Sequence, residues 1–301
     1  MKKEFYYLSS NNETNIHAIK WLPEKPIGIV QIAHGVTEHI DRYDEFANYL
    51  TSKGYIVVGN DHLGHGKSII KNKSKMYFGP QGSWENVVKD IKILHEKTSS
   101  EHPNIPYYII GFSLGSFLVR TYLIEHKPKL DKVVLIGTGT QPKWLINILK
   151  QIVKKEINNK GAENPTPLVT NLSFGTYNRQ IKNAKTPHDW LTSNEKALEE
   201  YCSDPLVGKE LSSSLFYELL SGISYTSEMK NMKQMPKIPV LLISGKSDPV
   251  GDMGKGIKKL SKKLTKLNRS NQVILYENLR HDILHEKEYK KVYEDIYKFI
   301  A

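Results

Sequence analysis

Short apolar runs alternate along the chain with longer stretches in which apolar positions recur every three or four residues. The runs at 28–33 (GIVQIA), 55–59 (YIVVG), 107–112, 132–136 (KVVLI), 240–244 and 272–276 read as strands, because a strand covered on both faces shows as continuous hydrophobicity. Between them, 42–53 places Phe46, Tyr49 and Leu50 on one helical face and stops at Gly54. Segment 83–100 does the same with Val87, Ile91 and Leu94, and 113–126, 255–267 and 287–299 complete the helices. At the start, 3–9 and 15–22 flank a polar turn and read as a hairpin. Apolar strands alternating with helices predict an α/β class fold with a mostly parallel central sheet and helices on both faces.

The alternation breaks between 141 and 236. This stretch is helical in pattern, is interrupted by Asn164-Pro165-Thr166-Pro167, and is followed by a return of the strand pattern. The expectation is a core made of 1–140 and 237–301 with an inserted helical cap at 141–236. Within the cap, Leu145, Ile148, Leu149 and Ile152 share a helical face in a lysine-rich stretch. Two uses fit it: a helix resting on an anionic membrane, or a cap helix whose apolar face lines a pocket.

Composition narrows the function classes. The 301 residues include one cysteine, Cys202, so a disulfide framework or a cysteine-rich zinc site cannot form within the chain. No apolar run reaches the ~20 residues of a transmembrane helix. Met1-Lys2-Lys3 is followed at once by Glu4 and then by the polar 9–12, which is not a leader pattern. The expected location is cytoplasmic, including the inner membrane face. The net charge of +11 comes mostly from scattered lysines, without a nucleic-acid-binding motif. It predicts a solvated basic surface or contact with anionic membrane, and no nucleic-acid partner.

The chemistry enters at Gly111-Phe112-Ser113-Leu114-Gly115. This G-x-S-x-G follows an apolar strand and opens a helix, where a sharp turn lifts a serine hydroxyl clear of the backbone. Ser113 is the candidate nucleophile. It needs a base and a carboxylate to orient that base. Asp248 follows the 240–244 strand and His281 follows the 272–276 strand, both in post-strand loops and in the chain order Ser, Asp, His. His285 is the rival base, and Asp252 and Asp282 are weaker rivals to Asp248. Backbone N–H groups of Leu114 and of Val36, in the loop after the 28–33 strand, are candidates for an oxyanion hole. His34 reads as a structural hydrogen-bonding residue beside it, as do His62 and His65 in their loop.

Together these residues resemble α/β-hydrolases of the monoacylglycerol lipase and lysophospholipase group, within the serine-aminopeptidase-like superfamily. His34-Gly35-Val36-Thr37-Glu38-His39 with Arg42-Tyr43 resembles the oxyanion loop of that group, and Asp61 to Ser68 resembles its D-x-x-G-H-G-x-S loop. Asp248-Pro249-Val250 matches the acid loop, and Arg280-His281-Asp282 with Leu284 and Glu286 is similar to R-H-E-x-L-x-E, with Asp282 departing from the glutamate. The resemblance implies ester hydrolysis through an acyl-enzyme, with monoacylglycerol or lysophospholipid as substrate. Short-chain carboxylesterase and aminopeptidase-like amide hydrolase are alternatives within it.

Two readings of other classes remain. His281-Asp282-Ile283-Leu284-His285 is one methylene from the zinc-binding H-E-x-x-H, but His281 leaves a strand and no third ligand is near in sequence. A non-enzymatic ligand-binding module on the same fold is the other. The chain has no G-x-G-x-x-G and no Walker A pattern, so neither cofactor nor metal is expected.

Overall fold

The computed structural model of the chain describes residues 1–208 and 210–301. Its sheet contains β1 (Lys2–Leu8), β2 (Asn15–Trp21), β3 (Gly28–Ala33), β4 (Tyr55–Asn60), β5 (Tyr107–Phe112), β6 (Lys132–Ile136), β7 (Val240–Gly245) and β8 (Asn271–Tyr276). The order is β1-β2-β4-β3-β5-β6-β7-β8, and β5 lies near the middle. The hairpin β1–β2 is antiparallel and β2 meets β4 antiparallel, whereas β4, β3, β5, β6, β7 and β8 pair in parallel. Parallel pairing needs crossovers, and these supply helices to both faces. Helices α1 (Asp44–Ser52) and α10 (Tyr289–Ile300) cover one face. Helices α2 (Trp84–Glu101), α3 (Leu114–His126) and α9 (Lys255–Lys266) cover the other. The expected α/β class with a mostly parallel sheet is what the chain forms.

Burial on both faces accounts for the apolar strands. Ile109 and Ile110 on β5 point to opposite sides, and both are 0% exposed. Each such side chain contributes roughly 1.5–3 kcal/mol relative to exposure. The strands therefore fix β5, and with it the residue that follows it.

Segment 141–236 lies between β6 and β7 and carries α4 (Lys143–Lys160), α5 (Pro167–Ser173), α6 (Glu195–Ser203), α7 (Ser213–Ser227) and the short α8 (Met229–Met232). Hydrogen bonds fasten it to the sheet-bearing part. Glu218 on α7 accepts from the N–H groups of Gly82 and Trp84 at the start of α2, where a helix dipole favours a carboxylate. The Gly208 N–H donates to the Thr37 carbonyl at 2.9 Å.

Several boundaries differ from the sequence expectation for local reasons. The helix expected over 42–53 begins at Asp44, after a 3-10 turn (Ile40–Tyr43) whose first N–H, that of Ile40, is capped by Asp61 at 2.8 Å. The last helix starts at Tyr289, since Glu286 is drawn back to accept from the N–H groups of Ser193 and Arg280. On α4, Ile146 and Val153 are buried, while Ile148, expected to share the apolar face, is 51% exposed. Leu145 and Leu149 of the same helix turn instead toward the cavity over Ser113.

Candidate active site

Ser113 sits between β5 and α3 with φ 49° and ψ −115°, a left-handed backbone that a non-glycine residue adopts only under constraint. Its flanking glycines make the turn feasible. A Cβ on Gly115 would lie 2.0 Å from the Ala33 carbonyl oxygen, and one on Gly111 would lie 2.7 Å from that of Gly115. The Ser113 N–H is anchored to the Ile136 carbonyl at 2.9 Å, so β6 holds the turn from the side.

His281 and Asp248 arrive from the ends of β8 and β7. His281 Nε2 is 2.9 Å from Ser113 Oγ, and Nδ1 is 2.9 Å from Asp248 Oδ1. A carboxylate only accepts, so Nδ1 carries the proton and Nε2 is left to accept from the serine O–H. Asp248 is fully buried and also accepts from Ser244 Oγ and the Val250 N–H, each at 2.9 Å. Burial pushes its carboxyl upward, but the His281 imidazole and these hydrogen bonds hold it below the ordinary aspartate value. The indole of Trp190 and the ring of Phe112 flank the imidazole at 5.3 and 4.9 Å between centroids.

Val36 and Leu114 both line the cavity beside Ser113. The peptide linking Gly35 to Val36 is held by its carbonyl: His34 Nδ1–H donates to Gly35 O at 2.7 Å. In a trans peptide the Val36 N–H points the opposite way, so His34 sets the direction of that donor. His34 Nε2 in turn accepts from the His62 N–H at 2.9 Å, and His62 Nε2 donates to the His34 carbonyl at 3.1 Å. With one ring nitrogen donating and the other accepting, His34 is held neutral. Burial, together with the neighbouring histidines, pulls His34 well below the ordinary value and His62 to about 3, and burial brings His65 to about 4.

The cavity over Ser113 measures about 400 Å³. Leu145 and Leu149 of α4, and Phe216, Leu220 and Ile223 of α7, form much of its wall. It therefore lies between the C-terminal end of the sheet and segment 141–236, where open α/β sheets place their sites.

The structure brings Ser113, His281, Asp248, Val36 and Leu114 together. His285 is engaged elsewhere: Nδ1 faces Asp282 at 2.9 Å and Nε2 faces the Arg42 carbonyl at 2.9 Å. His281 and His285 thus serve different partners rather than converging. Asp282 faces Arg42 and His285, and Asp252 lies 3.8 Å from Lys259.

Residues 24–288 match the sequence family described as serine aminopeptidase, S33 (Hydrolase_4). The chain belongs to this family of serine hydrolases. A monoacylglycerol lipase of Mycolicibacterium smegmatis is 25% identical over 287 residues, covering 93% of this chain and 91% of that protein. A monoglyceride lipase of Mus musculus is 25% identical over 241 residues, covering 77% of this chain and 69% of that protein. Among solved structures, a thermostable carboxyl esterase from Bacillus coagulans in complex with glycerol superposes with a TM-score of 0.92 at 26% identity, covering 99% of this chain and 97% of that one. The α/β-hydrolase fold expected from the sequence is shared with that esterase.

Sequence reasoning about this hydrolase missed Trp190 beside His281 and Ser244 beneath Asp248. Trp190 sits in segment 141–236, and nothing local in the sequence ties it to position 281. Ser244 does leave a trace, four residues before Asp248 at the end of an apolar strand.

Proposed function

We propose that this hydrolase cleaves carboxylic esters through an acyl-enzyme on Ser113, with monoacylglycerol as the preferred substrate class. The observation that carries the reading is the hydrogen-bonded chain Ser113–His281–Asp248 opening into an apolar cavity. Ser113 Oγ attacks the ester carbonyl as His281 Nε2 takes its proton, and Asp248 stabilises the imidazolium. The Val36 and Leu114 N–H groups hold the oxyanion. His281 then protonates the departing alcohol, and water deacylates Ser113 by the same route. The apolar wall suits an acyl chain, and the names of the relatives, lipases and an esterase in complex with glycerol, favour glycerol as the alcohol.

In this reading segment 141–236 acts as a cap. Its helix α4 turns Leu145 and Leu149 to the cavity and leaves Trp144 66% and Ile148 51% exposed beside Lys143, Lys154 and Lys155. That face suits contact with an anionic membrane or lipid aggregate, which would deliver substrate to the cap. No helix among the described residues is long and apolar enough to cross a membrane.

The test is turnover of the purified chain on short and long 4-nitrophenyl esters, a monoacylglycerol, a lysophospholipid and an aminoacyl arylamide. Monoacylglycerol turnover exceeding the others supports the reading. Activity confined to short esters or to the arylamide overturns the substrate assignment.

A further inference from the structure

A second group of charges is buried beside the Ser113–His281–Asp248 chain and belongs to neither end of it. Glu38, 3% exposed, accepts from the Gly35 N–H at 2.5 Å and from the Tyr43 hydroxyl at 2.7 Å through Oε1. Its Oε2 faces Arg42 Nε at 3.2 Å. The far side of the same guanidinium reaches across the fold, with Nη2 3.4 Å from Asp282 Oδ2. Asp282, 4% exposed, follows His281 in the chain and also faces His285. The Tyr201 ring of α6 lies under the guanidinium at 4.9 Å, and its hydroxyl meets Thr37 Oγ1 at 2.6 Å.

The protonation states follow from the partners. His285 faces a carboxylate through one ring nitrogen and a carbonyl through the other, and both groups only accept, so both nitrogens donate and the ring is an imidazolium. The cluster then reads Glu38⁻, Arg42⁺, Asp282⁻, His285⁺, with signs alternating along its length. Burial of these charges is tolerable because each faces one of opposite sign. Burial works against the charge on His285, but Asp282 outweighs it and raises the imidazole above its ordinary value.

We propose that Arg42 is a positioning residue that ties the loop bearing the Val36 N–H to the loop bearing His281, through Glu38 on one side and Asp282 with His285 on the other. The tie rests on the acyl-enzyme reading above. The reaction needs both loops at once: the oxyanion donor and the base must sit in register with one tetrahedral carbon. Glu38 fixes the Gly35 N–H, one residue before the donor. His34 fixes the Gly35 carbonyl in the same peptide unit as the donor. Asp282 and His285 fix the backbone that carries His281. A displacement of about 1 Å between the two is enough to cost on the order of 10²-fold in rate.

Glu38→Gln and Asp282→Asn keep shape and an acceptor oxygen while removing charge. Each is expected to lower kcat roughly 10- to 100-fold, the scale of a misplaced oxyanion donor, with KM within about threefold. The double variant should lose less than the product of the two, since both act through Arg42. Arg42→Lys should recover part of the loss seen in Arg42→Gln. Binding of a trifluoromethyl ketone, which forms the oxyanion, should weaken in parallel with kcat, while an uncharged ether analogue of the same chain length binds as before. Unchanged kcat in the folded variants, a loss confined to KM, or multiplicative effects in the double variant would overturn the tie. So would failure of all four single variants to fold, because the cluster would then be an element of stability alone. Wild type and Ser113→Ala run alongside. Turnover that persists in Ser113→Ala is a failure of the serine reading, whereas turnover that needs Ser113 but ignores Glu38 and Asp282 is a failure of the tie.

Discussion

The buried cluster of His34, His62 and His65 contributes a calculable part of the acid stability. His65 Nδ1–H donates to the Leu63 carbonyl at 3.2 Å, the ring packs on Phe78, and burial holds its proton affinity down to about 4. An unfolded histidine titrates near 6.5. The folded value is depressed, so the unfolded chain binds more protons and stability falls as pH drops below about 6.5, continuing until the folded ring titrates. Between pH 7 and pH 5 the loss from His65 alone is about 2 kcal/mol. His62, at about 3, adds a similar amount over the same interval. Asp90 opposes them. Burial raises its carboxyl to about 6, so the folded state gains protons on acidification and roughly 1 kcal/mol returns by pH 5. Comparing His65→Gln with wild type isolates one member of this sum. Urea unfolding at pH 7, 6 and 5, followed by tryptophan fluorescence, should show the variant losing about 2 kcal/mol less than wild type over that interval. The reasoning is refuted if the two lose stability in parallel, which would mean that His65 is not buried neutral.

Asp248→Asn leaves the hydrogen-bond geometry intact but favours the wrong tautomer of His281, and kcat on a 4-nitrophenyl ester should fall about 10⁴-fold; a loss under tenfold would remove Asp248 from its role. Gly115→Ala forces a methyl to within 2.0 Å of the Ala33 carbonyl oxygen, a backbone atom that cannot swing aside. It should cost about 1–3 kcal/mol or more in urea unfolding and take activity with it. Leu149→Trp fills part of the cavity wall, so kcat/KM for a dodecanoyl ester should fall at least about tenfold while the butanoyl ester is nearly unaffected; equal effects on both would place the acyl chain elsewhere.

Much of the core was legible because its elements are each buried on a recognisable pattern. Strand Gly28–Ala33 and strand Tyr107–Phe112 match their expected bounds, since an apolar run between polar turns has one way to be covered in a parallel sheet. The positions of Ser113, Asp248 and His281 followed for the same reason: each comes after such a strand. What stayed hidden depends on contacts between distant segments. Ile148 could not be assigned to the outside of α4, because its periodicity fits either flank of the helix and the cavity decides. The late start of Tyr289–Ile300 depends on Ser193 reaching Glu286 from another part of the chain. Arg42 and Asp282 are separated by 240 positions, and nothing in either sequence neighbourhood names the other as its partner.

The central claim is that Ser113 is the residue acylated by substrate. The direct measurement treats the purified chain with a fluorophosphonate, or with a slowly deacylating long-chain ester quenched in acid, and locates the adduct by peptide mass. The account predicts a single adduct on the peptide containing Ser113, formed in step with loss of esterase activity and absent from Ser113→Ala. An adduct that persists in Ser113→Ala, or ester turnover by wild type without any adduct at Ser113, would contradict it.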